Sequence, residues 1–210
     1  MRSGVLIVCT VLLSAAWIIA EESKPYKPKA GETVVKMTIK GKGDIYIRLN
    51  TKEAPKTSEN FLKLVKQKFY DGIRFHRVVP RFVVQAGDPL TKDPKVSLDD
   101  PRVGTGGPGY TIKFEPNNLK HKRGAIGMAR TPDPDNAGSQ FYICLEPQPQ
   151  LDGKYVVFGE VVQGMEIVDR IQRGDVIEKA VVLQEAKPSQ DDRSESSGKS
   201  DRANPKKSKP

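Results

Sequence analysis

The chain has 210 residues, 37% of them hydrophobic, and its 35 Lys and Arg against 26 Asp and Glu leave a formal charge of +9. That apolar share is too large for a wholly disordered chain, and the Gly and Pro residues follow no three-residue period, which excludes collagen. The basic residues are scattered among acids rather than gathered on one face, so a solvated surface is expected and nucleic acid is not expected as a partner.

At the front, Arg2 precedes an apolar run over residues 5–20 that ends before Glu21 and Glu22. This is the layout of a signal peptide over 1–20, cleaved after Ala20 or after Ala16. The run falls short of the roughly 20 residues that cross a bilayer, so an uncleaved anchor is the alternative rather than the first reading, and no stable membrane insertion is expected once the signal is gone. The protein is therefore expected outside the cytosol: periplasmic, secreted or in a secretory-pathway lumen. Cys9 lacks the small residue before it that lipidation wants. With the signal removed only Cys144 remains, which rules out an intramolecular disulfide; between Ile143 and Leu145 it reads as a small buried hydrophobe. Residues 21–32 have the Pro, Lys and Gly content of a linker, and 187–210 have no aromatic residue to offset the entropy of ordering, the composition of a disordered polar tail.

Between them, 33–186 reads as one domain, expected to be a monomer. Short alternating or apolar runs suggest strands at 34–39, 44–49, 74–78, 82–86, 110–114, 124–129, 140–145, 155–162 and 176–183. Gly41 and Gly43 supply the positive φ angles of a hairpin between the first two. Thr57 or Ser58 caps a predicted helix with Phe61, Leu64, Val65 and Phe69 on one side, and a second helix over 165–171 turns Met165, Val168 and Ile171 inward. Many strands, few helices and no strand–helix alternation indicate a mainly β barrel or sandwich with helices over its ends.

Several chemistries lack their parts. The stretch 104–109 satisfies G-x-G-x-x-G, but it follows Asp99-Asp100-Pro101-Arg102 and precedes a predicted strand, the wrong setting for a dinucleotide loop. His76 and His121 are the only histidines, far apart and off ligand spacing from Cys144, so neither a metal nor any other cofactor is expected. Ser139 sits in no nucleophile elbow.

The informative region runs over 75–89, FHRVVPRFVVQAGDP. On a strand Val83 and Gln85 share a face, and the same pairing of amide and hydrophobe recurs at Gln140 and Tyr142. With Arg77 and Phe82 close by, two such strands line a slot suited to a small ring and the peptide bond beside it, which suggests a proline site. Read singly, each of these residues is barrel packing or surface charge; the combination points to a site.

FHRVVPRFVVQAGDP, then GTGGPGYTIKFE (104–115), GAIGMA (124–129), NAGSQFYI (136–143) and LDGKYVVFGEVVQGMEIVD (151–169), in this order, resemble the cyclophilin family of peptidyl-prolyl cis-trans isomerases over essentially all of 33–186. The resemblance implies a closed eight-stranded antiparallel β-barrel capped by two α-helices, acting on proline-containing polypeptides to assist folding. It puts the catalytic arginine at Arg77 and the proline pocket at Phe82, Val83, Tyr142 and Leu151. The substrate-orienting amides fall on Gln85, of the catalytic pair with Arg77, and on Gln140. Ala129 and Arg130 occupy the stretch that pairs with bound peptide, Tyr155 stands where a pocket histidine is frequent, and His76 is read as support.

The departures from the family pattern are Val83 for a usual Met, Tyr142 for a common Phe, Arg130 for a common Asn and Gln150 for a frequent Trp. The last implies weak binding of the cyclic peptide ciclosporin, because an amide replaces the indole's apolar area and hydrogen bond. The competing reading is a barrel that binds Pro-containing peptides without turning them over, and Arg77 favours the enzyme.

Overall fold

Gly41 (φ 70°) and Gly43 (φ 123°) turn strand β1 (Thr33–Ile39) back onto β2 (Gly43–Leu49), and the two pair along their whole length from Thr33↔Leu49 to Ile39↔Gly43. In the computed structural model, residues 24–186 are described; the expected signal segment and polar tail lie outside the described residues. After helix α1 (Pro55–Lys66) come β3 (Arg77–Val79), β4 (Val83–Ala86), β5 (Ala125–Met128), β6 (Phe141–Cys144), β7 (Val157–Gln163), the short α2 (Met165–Val168) and β8 (Ile177–Gln184). They form one eight-stranded sheet in the order β3-β4-β6-β5-β7-β2-β1-β8 with every pairing antiparallel. The end strands β3 and β8 share no ladder. The stretches ahead of them exchange four main-chain hydrogen bonds of 2.7–2.9 Å, joining Gly72, Ile73 and Phe75 to Gly174, Asp175 and Ile177.

Three expectations are corrected. Residues 110–114 form no strand; Ile112 makes a single bridge to Ala137, because β6, the strand that Ala137 leads into, already has β4 on one edge and β5 on the other. The helix is not capped by Thr57 or Ser58. It starts at Pro55, whose missing N–H costs nothing at that position. Glu115 reaches in from the next long loop to accept the N–H groups of Lys56 (3.0 Å) and Thr57 (2.9 Å) and the Thr57 hydroxyl (2.8 Å). The second helix is likewise shorter than 165–171, ending at Val168, although Val168 and Ile171 are both buried as expected.

Alternation along each strand sends its side chains to two different places. The inward set packs Val84, Ala86, Phe141 and Ile143 with Phe61, Leu64 and Val65 of α1, and Phe61, Tyr70, Phe141 and Phe158 pack ring against ring with centroids 4.9–5.5 Å apart. The outward set on β4, β5, β6 and β7 is a smaller cluster of Val83, Ala125, Tyr142, Cys144 and Val157, with Phe82, Ala129, Leu151 and Tyr155 against it. Among the described residues, no helix is long and apolar enough to cross a membrane. Residues 24–32 lie against the sheet: Tyr26 donates to Glu32 (2.9 Å), and Glu32 also accepts from Arg48 of β2 (2.9 Å).

Candidate active site

Strand register puts the chemistry in one row across the outer wall: Arg77 opposite Gln85, Gln85 opposite Tyr142, Tyr142 opposite Gly127, and Gly127 opposite Val157. A pocket of about 300 Å³ opens over this row, lined by Arg77, Phe82, Val83, Gln85, Ala129, Arg130, Tyr142, Leu151 and Tyr155. Nine of the ten residues expected at the site therefore meet in one place. The tenth, Gln140, lines the neighbouring cleft and is bonded to Gln85, one of the nine.

The polar side of the site is a directed chain of amides. The Arg77 guanidinium faces the Phe82 ring at 5.4 Å and points Nη1 at Gln85 Oε1 (3.4 Å). Gln85 Nε2 donates to Gln140 Oε1 (3.1 Å), and Gln140 Nε2 donates to the carbonyls of Gly104 (2.9 Å) and Gly106 (2.8 Å). The glycine loop is itself held from below: the fully buried Asp88 carboxylate accepts from the N–H groups of Gly104 (2.6 Å) and Gly106 (3.2 Å). The amides of this G-x-G-x-x-G stretch thus face a carboxylate of the same chain, and a Cβ at Gly106 would collide with it. Arg77 keeps its remaining N–H groups free toward the pocket, with no carboxylate pairing it among the described residues.

The apolar side rests on a support that the sequence did not announce. The Tyr142 ring lies over Gly127, where any Cβ would meet the ring. Its hydroxyl is bonded to His121 Nε2 (2.8 Å), and His121 Nδ1 is bonded to Asp152 Oδ1 (2.9 Å), which also accepts the His121 main-chain N–H (2.9 Å). Burial pushes the His121 imidazole below its ordinary 6.5, while the main-chain N–H from His121 holds the Asp152 carboxylate below the usual range. A neutral ring between them donates from Nδ1 to the carboxylate and accepts the tyrosine proton at Nε2. Because Asp152 directly follows Leu151, the same network ties the pocket floor to its wall. An isolated glycine inside GAIGMA was the one available sequence signal of close approach; His121 and Asp152 carried none.

The supporting residues behave as apolar or neutral groups. His76 is buried beside Arg77, both ring nitrogens lack a partner, and burial lowers its pKa, so it is no charged relay. Burial pushes the Cys144 thiol up to about 12, leaving it protonated and inert on β6.

The family model for the cyclophilin type peptidyl-prolyl cis-trans isomerases matches residues 34–195. The chain belongs to this family. It is a peptidyl-prolyl cis-trans isomerase, and the pocket sits on the outer face of its antiparallel sheet. A peptidyl-prolyl cis-trans isomerase of Helicobacter pylori is 44% identical over 142 residues, covering 65% of this chain and 80% of the relative. Peptidyl-prolyl cis-trans isomerase B of Bacillus subtilis is 45% identical over 132 residues, covering 62% and 84%. A cyclophilin type isomerase of Cryptosporidium parvum superposes with a TM-score of 0.63 at 28% identity, over 73% of this chain and 99% of that one, and has also been crystallised in the presence of the dipeptide Ala-Pro.

Proposed function

We propose that this isomerase turns the X–Pro bond in the outer-wall pocket, with Arg77 donating to the prolyl nitrogen as the bond twists. The barrier is conjugation, roughly 18–20 kcal/mol, and uncatalysed exchange takes tens to hundreds of seconds. Millisecond turnover asks for a factor of about 10⁴–10⁵, or roughly 5.5–7 kcal/mol. In the twisted state the nitrogen regains a lone pair, so a guanidinium bonds it there and hardly at all in the planar ground state; only that difference accelerates. One charge-assisted hydrogen bond contributes about 1.5–3 kcal/mol. The remainder comes from orientation: Phe82, Val83, Tyr142 and Leu151 hold the ring while Gln85, Gln140 and the backbone at Ala129 and Arg130 hold the rotating acyl part.

The observation that carries this assignment is the free guanidinium face of Arg77, set by register beside Gln85 and facing Phe82 at the pocket mouth. Arg77→Ala is expected to lower kcat/KM about 10- to 150-fold in a proline-isomer exchange assay; equal rates for the two proteins would make the barrel a binding module. The Ala-Pro dipeptide used with the Cryptosporidium relative supports proline-containing polypeptides as ligands.

The seam between 72–75 and 174–177 closes the sheet into a barrel, and the domain acts as a monomer. Export through a cleaved 1–20 segment places its work on proteins folding outside the cytosol, and the intact mass of the mature protein tests that cleavage. Gln150 is turned to Gln148 Oε1 (2.7 Å) and stands outside the residues lining the pocket, which favours weak ciclosporin binding. Tight inhibition by low-micromolar drug would refute it.

A further inference from the structure

We infer that this isomerase prefers proline bonds flanked by an acidic side chain, and that Arg130 sets the preference; the inference rests on the assignment of the outer-wall pocket as the site of turnover.

Arg130 lies on the boundary between two clefts. It lines the proline pocket and also the adjoining cleft of about 440 Å³ under the glycine loop, as do Gln85 and Ala129. A peptide whose proline fills the first and whose chain continues into the second therefore passes the Arg130 guanidinium. That guanidinium is fixed in place. It stacks on the Tyr155 ring at 4.6 Å, and it donates to the carbonyls of Thr131 (2.8 Å), Pro132 (3.1 Å) and Lys154 (2.7 Å). Carbonyls orient the charge without cancelling it.

Among the described residues no acid cancels it either. Neither cleft has an Asp or Glu among its lining residues, and the two charged residues that line them are Arg77 and Arg130. Five of the other described arginines, Arg48, Arg81, Arg102, Arg123 and Arg173, each bond a carboxylate, while Arg74 and Arg170 donate to main-chain carbonyls away from both clefts. Three acids in the segments around these clefts are committed to the main chain. Asp88 accepts from Leu90, Gly104 and Gly106, Asp133 from the Asp135 N–H, and Asp135 from the Phe114 N–H. Two fixed, carboxylate-free cations on one binding surface favour a partner that brings its own carboxylate and disfavour one that brings a lysine.

The test measures kcat/KM by proline-isomer exchange on matched peptides with Glu, Gln or Lys immediately before or immediately after the proline. With wild type at low salt, Glu is expected to exceed Gln by about two- to fivefold in at least one of the two positions, with Lys below Gln. The ratio is expected to approach one in 0.5 M salt. Arg130→Gln should reduce the Glu-to-Gln ratio and Arg130→Lys should retain most of it, the ratio cancelling any general loss of turnover. Gln peptides turned over with equal rates for Glu and Lys, or a Glu preference undiminished in Arg130→Gln, overturn the inference while leaving the pocket assignment in place. Gln peptides whose turnover is untouched by Arg77→Ala overturn the pocket assignment, and the inference with it.

Discussion

Strands β4 and β6 serve two surfaces that obey different rules. Their inward residues Val84, Ala86, Phe141 and Ile143 enter an apolar interior where the only demand is to fill space, and the helix α1 seals it with Phe61. Their outward residues Val83, Gln85 and Tyr142 meet a surface with amides, a guanidinium and a buried Tyr142–His121–Asp152 network. The inner face is specified by volume, so what it loses on mutation is stability. The outer face is specified by direction as well, because a hydrogen bond has a geometry and a methyl contact has almost none. The same four-residue strand thus carries the fold on one side and the chemistry on the other.

That contrast can be broken most forcefully from the inside. Phe141→Ala removes a fully buried ring that touches Phe61 and Tyr70, and is expected to cost about 3–5 kcal/mol in chemical denaturation, with turnover per folded molecule nearly kept. A large loss of activity in the folded fraction would show that the two faces are not separable. From the outside, Gly127→Ala forces the Tyr142 ring off its seat and away from His121. A tenfold or greater fall in kcat/KM is expected, on the order of what an ångström-scale misplacement costs, with a much smaller change in stability than Phe141→Ala.

Tyr142→Phe sharpens the comparison further, since it keeps the ring and deletes only the hydroxyl. It leaves the buried His121 Nε2 without a partner and is expected to cost about 1–3 kcal/mol. Adding His121→Phe in the same chain should cost less than it does in wild type, and strict additivity in that double-mutant cycle would dissolve the network. The smallest expected effect is that of pH. His76 and His121 both have folded-state pKa values depressed by burial, so the unfolded chain binds more protons below the ordinary 6.5. Stability is therefore full above about 6.5 and falls as pH drops from there toward the depressed values. A melting temperature lower at pH 5 than at pH 7 by about 2–4 °C is expected, and the difference should shrink in His121→Phe.

The hairpin at Gly41 and Gly43 between the first two strands and the helix face of Phe61, Leu64 and Val65 were legible in the sequence, because each depends on residues a few positions apart. The pocket was legible for another reason: Val83, Gln85, Gln140 and Tyr142 repeat one pattern on two strands, and the resemblance to cyclophilins fixes what that pattern is for. The ninth strand over 110–114 was not legible as a loop, since its alternation satisfied the local rule while the edges of β6 were already taken.

Amino-acid order alone thus determined where the strands run, which face of the first helix packs inward, where the first hairpin turns, and which side chains are candidates to meet a proline. Tertiary structure alone decided that Glu115 caps a helix nearly sixty positions back, that Asp88 fills the glycine loop, and that His121 and Asp152 hold up Tyr142. These pairings join residues distant along the chain, and they exist only once the sheet has curved and brought its strands and loops together. Periodicity reports a side chain's direction; it carries no record of what will be waiting there.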